Sequence, residues 1–285
     1  MKFSLKSIFA VLAMAFLVIS CRTSDSEEII VPTSETEGLV LIKEVTNSTH
    51  KIELYSQTGT TKQGYNDIKI RIKNLASSEY EKNASITWTP LMHMTSMMHS
   101  CPRSTIQKVT ADGSLYSGYI VFQMPENTSE YWDLKIDYTI GTTTYTATTG
   151  VSVPAATKQV VTSFKGTDNV QYVVAYVDPK TPKVAINDMV VGVWKTQDLM
   201  TFPMVDGYIV KLDPRMPGMG NHSSPNNVNL TQTSAGNLYN GKLSLTMTGY
   251  WKLNLQLAKA DGTILKGEEI AGTVTESSMY FEIEF

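Results

Sequence analysis

Past residue 37, apolar and polar positions alternate with a period of two over short runs, the spacing of a strand with one buried face. Residues 39–45, 51–55, 68–72, 116–122, 132–138 and 142–153 are rich in Val, Ile, Thr, Tyr, Phe and Trp, and short turn-forming gaps separate them. No segment carries the 3.6-residue period of an amphipathic helix, and residues 187–199 fit neither template well. Pro154-Ala155-Ala156 breaks the pattern, and a second strand-rich block then runs from about Lys158 to Phe285.

The two blocks resemble each other. Leu115-Tyr116-Ser117-Gly118 matches Leu238-Tyr239-Asn240-Gly241, and Tyr131-Trp132-Asp133-Leu134 matches Tyr250-Trp251-Lys252-Leu253. His99-Ser100-Cys101-Pro102 matches His222-Ser223-Ser224-Pro225, and Pro90-Leu91-Met92 matches Pro214-Arg215-Met216. Met124 and Met247 follow their histidines at the same separation. Such self-similarity signals a tandem duplication. Regular short strands with Greek-key-compatible gaps predict an all-β chain of two immunoglobulin-like β-sandwich domains, at 37–154 and 158–285. Trp132 and Trp251 are the expected core anchors.

The N-terminus adds an address. Lys2 and Lys6 precede an apolar run from Ile8 to Ile19, and Leu17-Val18-Ile19-Ser20-Cys21 closes it. That is a secretory signal pattern over 1–20 rather than a membrane span. A small residue directly before cysteine resembles a bacterial lipobox, which implies cleavage after Ser20 and a lipid on Cys21. Residues 21–36 are polar and acidic, the composition of a flexible tether. Their acidic residues resemble the surface-export signals of Bacteroidetes lipoproteins. Without Lys2 and Lys6 the chain carries 22 basic against 27 acidic residues, a formal charge of −5 with no basic cluster, so nucleic acid is not an expected partner. The expected location is the cell envelope, lipid-anchored at the outer membrane. After Cys21 only Cys101 remains, so no internal disulfide forms, and a lone thiol in an oxidising compartment needs a reason.

Composition becomes informative at two loops. PLMHMTSMMHSCP (90–102) and PRMPGMGNHSSP (214–225) concentrate thioether and imidazole side chains beside turn residues. Thioether sulfur is neutral and soft, which favours Cu(I) over harder ions, and neutral imidazole binds copper in either oxidation state. The candidate ligands are Met92, Met94 and His99, with Met98 or Cys101 completing a set, and Met216, Met219 and His222 in the second copy. If 90–94 is extended, Met92 and Met94 share a face that His93 does not. For any single methionine, core packing is the default, and Met124 and Met247 read first as core residues. Met200 and Met204 read as core or interface edge, and His50 as surface. The repeated Met-Met-His arrangement is what favours a metal.

These residues resemble the YtkA-like (FixH-like) domain, an immunoglobulin-type module of the bacterial envelope. Met216-Pro217-Gly218-Met219-Gly220-Asn221-His222 and Gly249-Tyr250-Trp251 carry the likeness in copy two; Pro90-Leu91-Met92 and Tyr131-Trp132 carry it in copy one. The resemblance implies a tandem-domain lipoprotein of Bacteroidetes type and a contextual association with copper.

The function expected from the sequence is therefore non-catalytic binding of copper, as Cu(I), through the Met/His loops, for buffering or delivery, with an envelope copper-handling protein as partner. The alternative is an adhesion or glycan- or protein-binding lipoprotein with the sandwiches as scaffold. No nucleophile elbow, His-Glu-x-x-His element or phosphate loop is present, and Asp112, Asp213 and Asp261 sit beside glycine or proline in turn contexts, so no enzyme is expected.

Overall fold

The structure is a computed structural model that describes residues 34–285. The signal sequence, Cys21 and most of the acidic segment lie outside the described residues. Alternation decides the strands. In β3 (Gly64–Asn74), Ile68, Ile70 and Ile72 turn inward while Asp67, Lys69, Arg71 and Lys73 face out. β3 pairs with β2 (His50–Ser56), which pairs with β1 (Val40–Thr46); on its other side lies β7 (Tyr116–Phe122), edged by β6 (Gln107–Lys108). The facing sheet runs β5 (Met98–His99), β4 (Ala84–His93), β8 (Tyr131–Ile140), β9 (Thr143–Val151). All pairings are antiparallel, and the inner faces enclose a core of Ile52, Ile70, Trp88, Phe122, Trp132 and Ile136.

The second sandwich repeats this order. One sheet runs β10 (Val161–Lys165), β11 (Gln171–Asp178), β12 (Ile186–Lys195), β16 (Tyr239–Ser244), β15 (Val228–Thr231). The other, joined to the first where β15 also pairs with β13, runs β14 (His222–Ser223), β13 (Ile209–Met216), β17 (Tyr250–Ala258), with β18 (Ile264–Lys266) and β19 (Tyr280–Glu284) sharing the far side of β17. The chain is thus all-β, with two immunoglobulin-like sandwiches in which β1–β8 correspond to β10–β17. The equivalence extends to polar detail. Asn66 Oδ1 accepts from the Lys62 N–H while its amide donates to the Lys62 and Gly64 carbonyls; Asn187 does the same with Lys183 and Ala185. Both tryptophans of the repeated Tyr-Trp strand are fully buried. Full burial of one stabilises by about 3 kcal/mol on area alone.

The copies also pack on each other. Val121 of the first sandwich joins Val161, Val173, Ala175 and Trp194 of the second in a small shared core, with the Tyr119 and Trp194 rings 5.9 Å apart. Gly192 is required there, since a Cβ would run into the Trp194 ring. The connecting segment is bonded at both ends: Gln63 N–H donates to the Pro154 carbonyl at 3.0 Å, and Tyr176 N–H to the Val160 carbonyl at 2.8 Å.

His50, expected on the surface, is 2% exposed. It lies edge-on to Tyr138 and Tyr145, with Nδ1 2.8 Å from Thr49 Oγ1. The first position of β2 falls on the inward face, and its polar neighbours Thr49 and Lys51 hid this. Among the described residues no helix is long and apolar enough to cross a membrane.

Candidate metal centre

The register of three strands builds the site in the first copy. Met92 on β4 lies opposite His99 on β5 on one side and Trp132 on β8 on the other. Cross-strand partners share a face, so His99, Met92 and Trp132 form one inward row at the end of the sheet. Met92 is fully buried and His99 is 9% exposed, its ring edge-on to Trp132 at 5.6 Å. His99 Nδ1 is 2.7 Å from the Ser100 carbonyl oxygen. A carbonyl only accepts, so in the neutral ring Nδ1 carries the proton and Nε2 keeps its lone pair. No partner for Nε2 is found among the described residues. A carbonyl that accepts from one ring nitrogen, and so fixes the tautomer, is the usual support of a histidine that binds metal through the other. The Trp132 indole N–H donates to the Met124 carbonyl at 3.0 Å, which draws Met124 to the same end.

The second copy repeats the row. Met216 lies opposite His222, one register position beyond the Arg215–Lys252 pair and therefore level with Trp251. The Trp251 indole N–H donates to the Met247 carbonyl at 3.1 Å. Gly249, at φ 120, passes so close that a Cβ there would stand 3.2 Å from Met216 Cε. The turn differs. Pro217–Met219 is a 3-10 turn, followed by Gly220 and Asn221, both left-handed at φ 64 and 60. This leaves Met219 and His222 exposed, while Met216 is 5% exposed.

The remaining candidates separate. Met94 packs against the first core from a tight hairpin, its N–H donating to the Met97 carbonyl at 3.0 Å. Met98 is 54% exposed and lies opposite His93, on the face away from His99, so strand alternation removes it from the inward set. Cys101 is fully buried in the first core, and burial pushes its thiol well above the ordinary range. Its side chain is packed among the apolar residues of that core, so Cys101 reads as packing. Among the described residues no group of three His, Cys, Asp or Glu is placed to hold an ion, so the metal reading rests on thioether and imidazole.

Sequence reasoning missed one cluster, on the outer face of β4 and β8. His93 stacks on Tyr131 at 4.6 Å, and its Nε2 is 2.9 Å from Asp133 Oδ2. That is ion-pair range, yet the atom is buried with no well-aligned hydrogen bond. Only the pairing of β4 with β8 brings these residues together, and no local motif announces it.

No protein-family model matches the sequence, and no curated protein does. A similar solved structure is a chimeric titin Z1Z2-Z1Z2 tandem functionalized with a GRGDS exogenous peptide from fibronectin. It is 12% identical over 79% of this chain and 93% of its own, with a TM-score of 0.19.

Proposed function

We propose that the protein is a non-catalytic envelope lipoprotein of the YtkA-like type that binds copper as Cu(I) at the ends of its two sandwiches, for buffering or delivery. One observation carries the reading: a cross-strand Met–His pair, level with a tryptophan whose N–H holds the backbone of a further methionine, occurs in both copies. The ligands are Met92 and His99 Nε2 in the first copy, with Met94 and Met124 as neighbours, and Met216 and His222 in the second, with Met219 and Met247. These are neutral, soft donors beside apolar walls, a setting that suits a monovalent soft ion.

A Cu(I) competition titration under anaerobic reduction, with a chromophoric chelator, tests this. The expected result is one or two tight equivalents, one lost in Met92→Ala/His99→Ala and the other in Met216→Ala/His222→Ala. Failure of the wild type to compete overturns the copper reading. The exposed Tyr131, stacked on His93, favours a second reading, an adhesion or glycan-binding module whose contacts are surface aromatics. Retention on a glycan surface that is lost in Tyr131→Ala, with no copper binding, supports that reading.

A further inference from the structure

The two sandwiches treat one sheet edge differently. Ser100 Oγ donates to the Pro90 carbonyl and the Tyr116 hydroxyl accepts from the Ala84 N–H, so the even residues of β4 direct their backbone groups away from β8. Pro90 fits this parity, having no N–H to offer. β5 covers only Met92 and His93, which leaves the N–H and C=O groups of Ile86 and Trp88 without a partner among the described residues. In the second copy the equivalent positions are Val210 and Leu212. There β15 closes the edge: Val210 pairs with Leu230, and Leu212 N–H donates to Asn229 Oδ1 at 3.1 Å. The residue equivalent to Asn229 in the first copy is Ile106, which has no acceptor. The segment bearing it turns instead to β7, with Ser104 N–H donating to the Tyr119 carbonyl at 3.0 Å.

The open edge faces a cleft of about 520 Å³ between the sandwiches, walled by Ile106 on one side and by Met200, Phe202 and Pro203 on the other. Arg103 stands in it with only neutral acceptors, Ser100 Oγ and the carbonyls of Cys101 and Met200. It makes no ion pair among the described residues, and no acidic side chain lines the cleft.

We infer that the open edge of β4 takes up an extended segment of a partner protein as an added strand, with a carboxylate on that segment meeting Arg103. The second copy supplies the template for the occupant. Leu230 of β15 is fully buried on the equivalent edge, flanked by polar Asn229 and Thr231. A strand of four or five residues with an apolar side chain at its centre satisfies Ile86 and Trp88, and main-chain pairing of this kind supplies affinity while the walls select side chains. The uncompensated guanidinium sets the charge of the partner. This site is independent of the copper reading: it uses the main-chain groups of Ile86 and Trp88, further along β4 from Met92, and none of the proposed copper ligands.

The test uses the purified protein and a synthetic peptide of residues 226–233, with a free or an amidated C-terminus, read by hydrogen exchange at the Ile86 and Trp88 amides. The expected result is slowing by about tenfold or more at saturating free-acid peptide. Binding should weaken about tenfold for the amidated peptide and for Arg103→Gln. Ile106→Asn, which installs the acceptor used in the second copy, should abolish the slowing. If Ile106→Asn does not fold, Arg103→Gln and the amidated peptide still decide. Three results overturn the inference: amides already protected in the free, dilute protein; no slowing at millimolar peptide; or slowing that grows with protein concentration alone and accompanies a sedimenting dimer, which assigns the edge to a second copy of this chain.

Discussion

Both sandwiches carry a His–Met–Trp row at the end of one sheet, yet they present it oppositely. His99 is 9% exposed and hydrogen-bonded through Nδ1, whereas His222 stands in solvent. The turns explain the difference. A tight hairpin folds His99 back under the sheet, while the Pro-Gly-Met turn and two left-handed residues swing His222 outward. The same row is thus enclosed and held by a hydrogen bond in the first copy and open to solvent in the second. Under the copper reading proposed above, the first copy would meet the ion with its imidazole already oriented, and the second would have to order His222 on binding at a cost in affinity.

The largest test asks whether the rows are equivalent as anchors. Trp132→Ala and Trp251→Ala should each destabilise by about 3–5 kcal/mol in denaturant unfolding, since both leave a large cavity. A difference beyond about 1.5 kcal/mol would break the equivalence of the copies. Next comes the contrast itself. His99→Ala should cost about 1–3 kcal/mol, because it empties a packed position beneath Trp132, while His222→Ala should stay within about 0.5 kcal/mol. Equal costs would remove the distinction between the two tips.

The smallest effect is electrostatic. Burial alone would raise the carboxyls of Glu35 and Glu282, but hydrogen bonds outweigh it and hold both below the usual range. For Glu35 these come from the Ser114 hydroxyl and N–H, with Arg71 adding attraction; for Glu282 they come from the Tyr250 hydroxyl and Gln159 N–H, with Lys252 and Lys158 adding attraction. A depressed folded-state pKa contributes stability above the unfolded value of 4.5 that is lost as pH falls through the lower folded value. Glu35→Gln and Glu282→Gln should each remove less than about 1 kcal/mol at pH 7 and flatten the acid limb of the stability curve.

Most strands were legible because one face is buried and the other wet. Residues 116–122 read from the sequence coincide with β7, and the duplicated Tyr-Trp strands gave the core tryptophans. Residues 187–199 were obscure because the second half of β12 is covered on both sides, with Val191 and Val193 facing the second core while Trp194 enters the shared one, and a loop follows at once. Double burial erases alternation. The Met/His segments were visible by composition, but which side chains share a face depended on register. Met92 with His99 required the β4–β5 pairing, and the exclusion of Cys101 required the core around it. His93 with Asp133 and Tyr131, and the unpaired edge at Ile86 and Trp88, are products of tertiary pairing alone.

The core shared by Val121, Val161, Val173, Ala175 and Trp194 has a consequence for how the chain can be divided. A freshly duplicated domain is a bead on a string, free to be lost, shuffled or repeated again. Once each bead supplies part of its neighbour's interior, deletion of either exposes apolar surface on the survivor. Neither sandwich can be cut away without wetting that surface, so the pair behaves as one part.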